Sequence, residues 1–170
     1  MFRRLLIVLL LIVGVSHCSI ASDTIYVSHL QGDLVAALRP MVSKRATDSR
    51  LVIYFDKPGV YEWSGTVESR CHTEIIGLGA ETTVLEFQHG RDRAGFKAFL
   101  DDAFINVKGS ADSPVEVGIR DVAFRIKEHD GIWWEDAAKL AVKIYHAKRV
   151  DVRRVVSRLH NAGYISIQEK

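Results

Sequence analysis

The feature that most constrains this chain is a stretch that recurs. PVEVGIRDVAFRI (114–126) is echoed 33 positions later by KRVDVRRVVSRL (148–159). Val117, Ile119, Val122 and Ile126 fall onto Val150, Val152, Val155 and Leu159, with polar residues between the first two of each set. Alternation with a period of two places apolar side chains on one face of a strand. A unit of this size that repeats cannot bury its apolar edge alone, so neighbouring copies have to lie on one another. The expectation is a coiled stack of short strands, with the residues of 114–126 themselves as scaffold.

The stack does not begin at Met1. Arg3 and Arg4 precede an unbroken apolar run over 5–13, and Ser19 and Ala21 supply small residues where a signal peptidase reads. Nine apolar residues fall short of the ~20 that a spanning helix needs. A cleaved signal peptide over 1–21 is therefore expected, leaving a secreted or periplasmic chain over 22–170 with no stable membrane insertion. An uncleaved anchor is one alternative. A lipoprotein acylated at Cys18 is another, although His17 fits poorly before a lipidated cysteine. Cleavage removes two arginines and no acids, so 23 basic and 21 acidic residues become 21 and 21. No concentrated basic footprint remains to argue for nucleic acid. Cys71 is left as the one cysteine, so no internal disulfide can form and stability must come from packing.

In chain order, 24–30 alternates like a first strand. Leu34, Val35, Leu38, Met41 and Val42 fall at helical spacing after Asp33, a suitable N-cap, which predicts a helix over 34–44. Pro40 should bend or end it. Its apolar face needs something to cover, and the open end of a strand stack is the natural candidate. From about residue 50 onward, short apolar runs at 50–55, 60–63, 66–68, 74–78, 83–87 and 104–107 predict strands separated by Gly and Pro turns. Segment 141–144 matches 164–167 at a distance of 23, and Val107 matches Ile144 at 37, the extra length lying in a loop over 127–139. The class is all-β, with a small β-sandwich as the rival architecture.

Asp33-Leu34-Val35-Ala36-Ala37-Leu38, then the strand at 51–55, the turn Pro58-Gly59-Val60-Tyr61 and the strand at 75–79, resemble the N-terminal region of the pectate-lyase-like superfamily. The resemblance spans about 24–167. It implies a right-handed parallel β-helix, here with few coils and incomplete, closed at its start by a capping α-helix. It also implies action on polysaccharide, by hydrolysis or elimination in the complete protein; no cofactor is expected, since the sequence has no Gly-rich phosphate loop. The alternative is a non-catalytic module that binds glycan or another cell-surface component. The polygalacturonase signatures N-T-D, G-D-D, G-H-G and R-I-K are absent as a set. Asp101-Asp102 lacks its glycine, and Arg125-Ile126-Lys127 stands without companions.

Two stretches could carry chemistry. In the loop, Glu135, Asp136 and Asp130 are candidate catalytic carboxylates, because glycosidic hydrolysis uses a carboxylate pair. Trp133, Trp134, Glu128 and His129 are candidate substrate contacts, since tryptophan faces stack on sugar rings. The plainer reading packs a tryptophan down onto the stack and leaves the acids to solvate the loop. Lys143, Lys148, Arg149, Arg153, Arg154 and Arg158 make the C-terminal part basic. Arginine grips carboxylates in bidentate fashion, so an anionic glycan would suit it, while a solvated outer face is the simpler account. Cys71, His72, His89, His129, His146 and His160 have no metal-ligand spacing, and no metal site is expected. Cys71 reads as a small buried residue.

Overall fold

The computed structural model describes residues 22–87, 103–126, 140–158 and 165–168. The expected signal peptide and the loop at 127–139 lie outside them. In chain order the strands are β1 (Ser22–Tyr26), β2 (Arg50–Tyr54), β3 (Gly59–Trp63), β4 (Val67–Ser69), β5 (His72–Ile76), β6 (Thr83–Phe87) and β7 (Ala103–Lys108). They continue with β8 (Val115–Arg120), β9 (Ala123–Ile126), β10 (Leu140–Tyr145), β11 (Ala147–Arg153), β12 (Val156–Arg158) and β13 (Ile165–Gln168). A 3-10 turn at Val27–His29 and one helix, α1 (Leu34–Ser43), separate β1 from β2.

These strands form three sheets in which every pairing is parallel. Sheet A runs β1-β2-β5-β8-β11, sheet B runs β3-β6-β9-β12 and sheet C runs β4-β7-β10-β13. From β2 onward the chain visits A, B and C in rotation, so every third strand stacks on its predecessor. The 33-residue echo is the stacking register itself: Val117 faces Val150, Ile119 faces Val152, and Ala123 faces Val156. The matches at 23 and 37 hold too, with Val142 opposite Ile165 and Val107 opposite Ile144.

Alternation sends one set of side chains inward. Ile25, Ile53, Ile75 and Ile119 stand opposite one another in a row across sheet A and are at most 3% exposed. Each such side chain contributes about 1.5–3 kcal/mol by leaving water. Val152 continues the row on β11, the last strand of that sheet, and is 42% exposed. Between sheets B and C, buried Trp63 donates its Nε1–H to the Phe104 carbonyl at 3.0 Å, and Phe104 meets the Phe124 ring edge to face.

Helix α1 packs on β4 and β3, the first strands of sheets C and B, while β1 occupies the corresponding place in sheet A. Val35, Leu38 and Val42 form its buried face. The Asp33 carboxylate accepts from the Ala36 amide at 2.7 Å, capping the first turn as its position predicts. The helix runs on through Pro40 rather than ending there. An interior proline costs about 3 kcal/mol, which burial of the three apolar side chains offsets. No helix among the described residues is long and apolar enough to cross a membrane.

Two expected strand limits shift for local reasons. The first strand stops at Tyr26, because Asp56 takes both the backbone amide of Ser28 (3.0 Å) and its hydroxyl (2.6 Å) and pins the 3-10 turn. The strand expected at 74–78 is β5, His72–Ile76, and it ends at Gly77, where the chain turns against the next coil. A Cβ at Gly77 would lie 2.2 Å from the Asp121 carbonyl oxygen. Asp121 and Arg154 occupy the equivalent corner of successive turns, both in the left-handed region (φ 60° and 51°). Arg154 grips Asp121 with two hydrogen bonds of 2.5 and 2.7 Å.

Candidate binding face on sheet A

The outward side chains of sheet A form three rows running across the strands. One holds Arg50 and His72, continued by Glu116 and Arg149. The middle row is Thr24, Val52, Glu74, Gly118 and Asp151. The third is Tyr26, Tyr54, Ile76, Arg120 and Arg153. Gly118 is the gap in this surface. Its φ is not in the left-handed region, so it is needed for space rather than for backbone freedom. With no side chain between Glu74 and Asp151, a groove of about 140 Å³ opens, walled by arginines and carboxylates. That is well below the roughly 300–1,000 Å³ of enclosed small-molecule sites. A shallow groove this size fits one unit of a longer ligand rather than a whole small molecule.

The electrostatics are those of a paired but unsaturated surface. Arg50 is paired with Glu74, Lys148 with Glu116 at 3.1 Å and Arg153 with Asp151 at 2.7 Å. The hydrogen bond from Lys148 holds the Glu116 carboxyl below the usual range, and Arg153 does the same for Asp151. Arg120 and Arg149 line the groove and make no ion pair among the described residues. His72 accepts the Glu116 amide on Nδ1 at 2.9 Å. That bond occupies Nδ1 and leaves Nε2 for other partners.

The basic stretch expected from sequence is not a single patch. Lys148, Arg149 and Arg153 lie on sheet A, Arg154 is tied to Asp121 at the corner, Arg158 belongs to β12 in sheet B, and Lys143 sits over the Tyr145 ring on sheet C. The loop candidates Glu128, His129, Asp130, Trp133, Trp134, Glu135 and Asp136 lie outside the described residues. Arg50, Glu74, Glu116, Gly118 and Arg120 were not singled out by the sequence. Their signal is the period-two alternation, which is legible only once strands 22 (Arg50 to His72), 44 (Thr73 to Val117) and 33 (Val117 to Val150) positions apart are laid in register. Cys71 is fully buried beside Ser69 and Thr73, as a packing residue would be. Among the described residues no three His, Cys, Asp or Glu side chains gather closely enough to hold a metal ion.

Comparison with family models, with curated proteins and with solved structures found no match to this chain. The likeness to the pectate-lyase-like superfamily therefore rests on the residues quoted above.

Proposed function

We propose that the three-sheet winding is a right-handed parallel β-helix of an exported, pectate-lyase-like protein, and that the outer face of its sheet A binds an anionic polysaccharide. The observation that carries this reading is the Gly118 groove with Arg120 and Arg149 beside it, two guanidinium groups that make no close ion pair among the described residues. A flat, parallel, charge-lined face suits an extended polymer, and planar guanidinium groups suit its carboxylates. Glu116 and Asp151 do not suit the acid role in hydrolysis. Hydrolysis requires one carboxylic acid that stays protonated near neutrality, whereas Glu116 and Asp151 are both shifted towards the ionised form. Asp130, Glu135 and Asp136, the candidates for cleavage, lie outside the described residues.

The test is affinity electrophoresis of the full chain through gels containing a uronate polymer or a neutral glucan, with parallel assays for new reducing ends and unsaturated products. Retardation by the uronate polymer only, with no product, is expected. Equal behaviour in both gels would remove the anionic reading, and product formation would remove the binding-only one.

A further inference from the structure

The third row of sheet A changes character along its length. Tyr26 and Tyr54 stand at one end, Ile76 in the middle, and Arg120 and Arg153 at the other, all in register. The two tyrosine rings meet edge to face at 5.9 Å, and His29 lies 5.5 Å from Tyr26. Tyr26 is 43% exposed, on a surface where most large apolar side chains are covered. Neither tyrosine hydroxyl has a hydrogen-bond partner among the described residues. One straight line therefore offers an exposed tyrosine ring, backed edge to face by a second, at one end and guanidinium groups at the other.

We propose that Tyr26 and Tyr54 form a sugar-stacking subsite, so that a bound uronate chain lies along this row, across the strands, with a sugar on the exposed Tyr26 ring, Tyr54 holding that ring in place, and carboxylates on Arg120 and Arg153. This rests on the anionic-polysaccharide reading above and adds a direction and a length to it. Neighbouring strands are ~4.8 Å apart, so Tyr26 and Arg153 are separated by four spacings, ~19 Å. A pyranose advances an extended chain by a comparable distance, so about four units reach from one end of the row to the other. An anion without ring faces meets only the arginine end.

The experiment is calorimetric titration of the full chain with oligouronates of increasing length, using poly-glutamate as a carboxylate polymer that has no sugar rings. Affinity should tighten with length up to about four units and then level off. Tyr26→Ala and Tyr54→Ala should each weaken the four-unit ligand about tenfold and end the length dependence earlier, as loss of buried ring surface requires. Tyr26→Phe and Tyr54→Phe keep the ring and should retain most of the affinity, and poly-glutamate binding should not respond to any of the four. Tyr26 is exposed, so its variants report on the site even if changes at Tyr54 lower stability. Alanine variants that bind four units within twofold of wild type, while Arg120→Gln weakens them, would overturn the subsite and leave the polysaccharide reading standing. Failure of every oligouronate to bind would overturn both.

Discussion

Gly77→Ala is the sharpest probe of how the turns stack. The added Cβ would lie 2.2 Å from the Asp121 carbonyl oxygen and 2.8 Å from both Thr83 Cβ and Val122 Cγ1. Relaxed contacts between carbon atoms are ~3.5–4.0 Å, so two neighbouring turns would have to separate by about 1 Å. The bonds that join them there run from the Gly77 amide to Arg120 O and from the Gly79 amide to Asp121 O, both 3.0 Å. Overpacking costs about 1–3 kcal/mol and each weakened hydrogen bond about 1. Against this stands at most about 1 kcal/mol from the stiffer unfolded chain. The net expectation is a loss of about 2–4 kcal/mol. With a urea slope of roughly 1–3 kcal/mol per molar, the unfolding midpoint should fall by about 1–2 M. Gly59→Ala is the control, because its nearest neighbour would be Tyr61 Cε2 at 3.9 Å. Equal midpoints for the two variants would refute the contact between residue 77 and residue 121, and with it the stacking of β5 on β8.

Trp63→Phe removes the bond to the Phe104 carbonyl and shrinks a fully buried side chain at the packed corner. Urea unfolding should show a loss of about 2–4 kcal/mol, and a change below about 1 would mean the corner is not packed as described. Acid should weaken the fold in a defined window. Hydrogen bonds from Lys108 to Glu68 and from Lys148 to Glu116 hold both carboxyls below the usual range. The folded state therefore binds fewer protons than the unfolded one. This stabilisation is complete above the unfolded value of about 4.3 and is lost as pH falls through the lower folded values. Thermal melts should show this, with a shallower acid slope for Glu68→Gln; an identical slope would contradict it. Gly118→Val fills the groove on a strand that tolerates valine. A Cβ there would lie 3.0 Å from Glu74 Cγ, so the Glu74 side chain must shift and stability should fall by about 1–2 kcal/mol while uronate binding weakens; unchanged affinity would discount the groove.

Much of the scaffold was legible because strand stacking writes itself as recurrence. Val117 and Val150 share a register and the core-facing side of sheet A, so they share a residue type. The Asp33 cap was legible because capping is local chemistry. Pro40 does not end the helix expected over 34–44, because the packing of Val35, Leu38 and Val42 outweighs a local penalty. The candidate face was harder to see. Glu74, Gly118 and Asp151 are neighbours in space but are separated by 44 and then 33 positions. Unequal connections between turns break the period that would have aligned them. Gly118 sits within the very stretch that first suggested a stack, where a glycine among alternating apolar residues looks like scaffold. Only the register shows that it faces outward between two carboxylates.

The most direct measurement is the dissociation constant of a uronate oligomer of at least four units, followed across salt from low to about physiological ionic strength for wild type and for Arg120→Gln/Arg149→Gln. If those two guanidinium groups bind carboxylates at the groove, wild-type affinity should fall steadily as salt screens them. The double variant should then bind weakly with little salt dependence, while unfolding in urea at the wild-type midpoint. Wild-type affinity and salt dependence in the double variant would contradict the assignment of sheet A as the binding face.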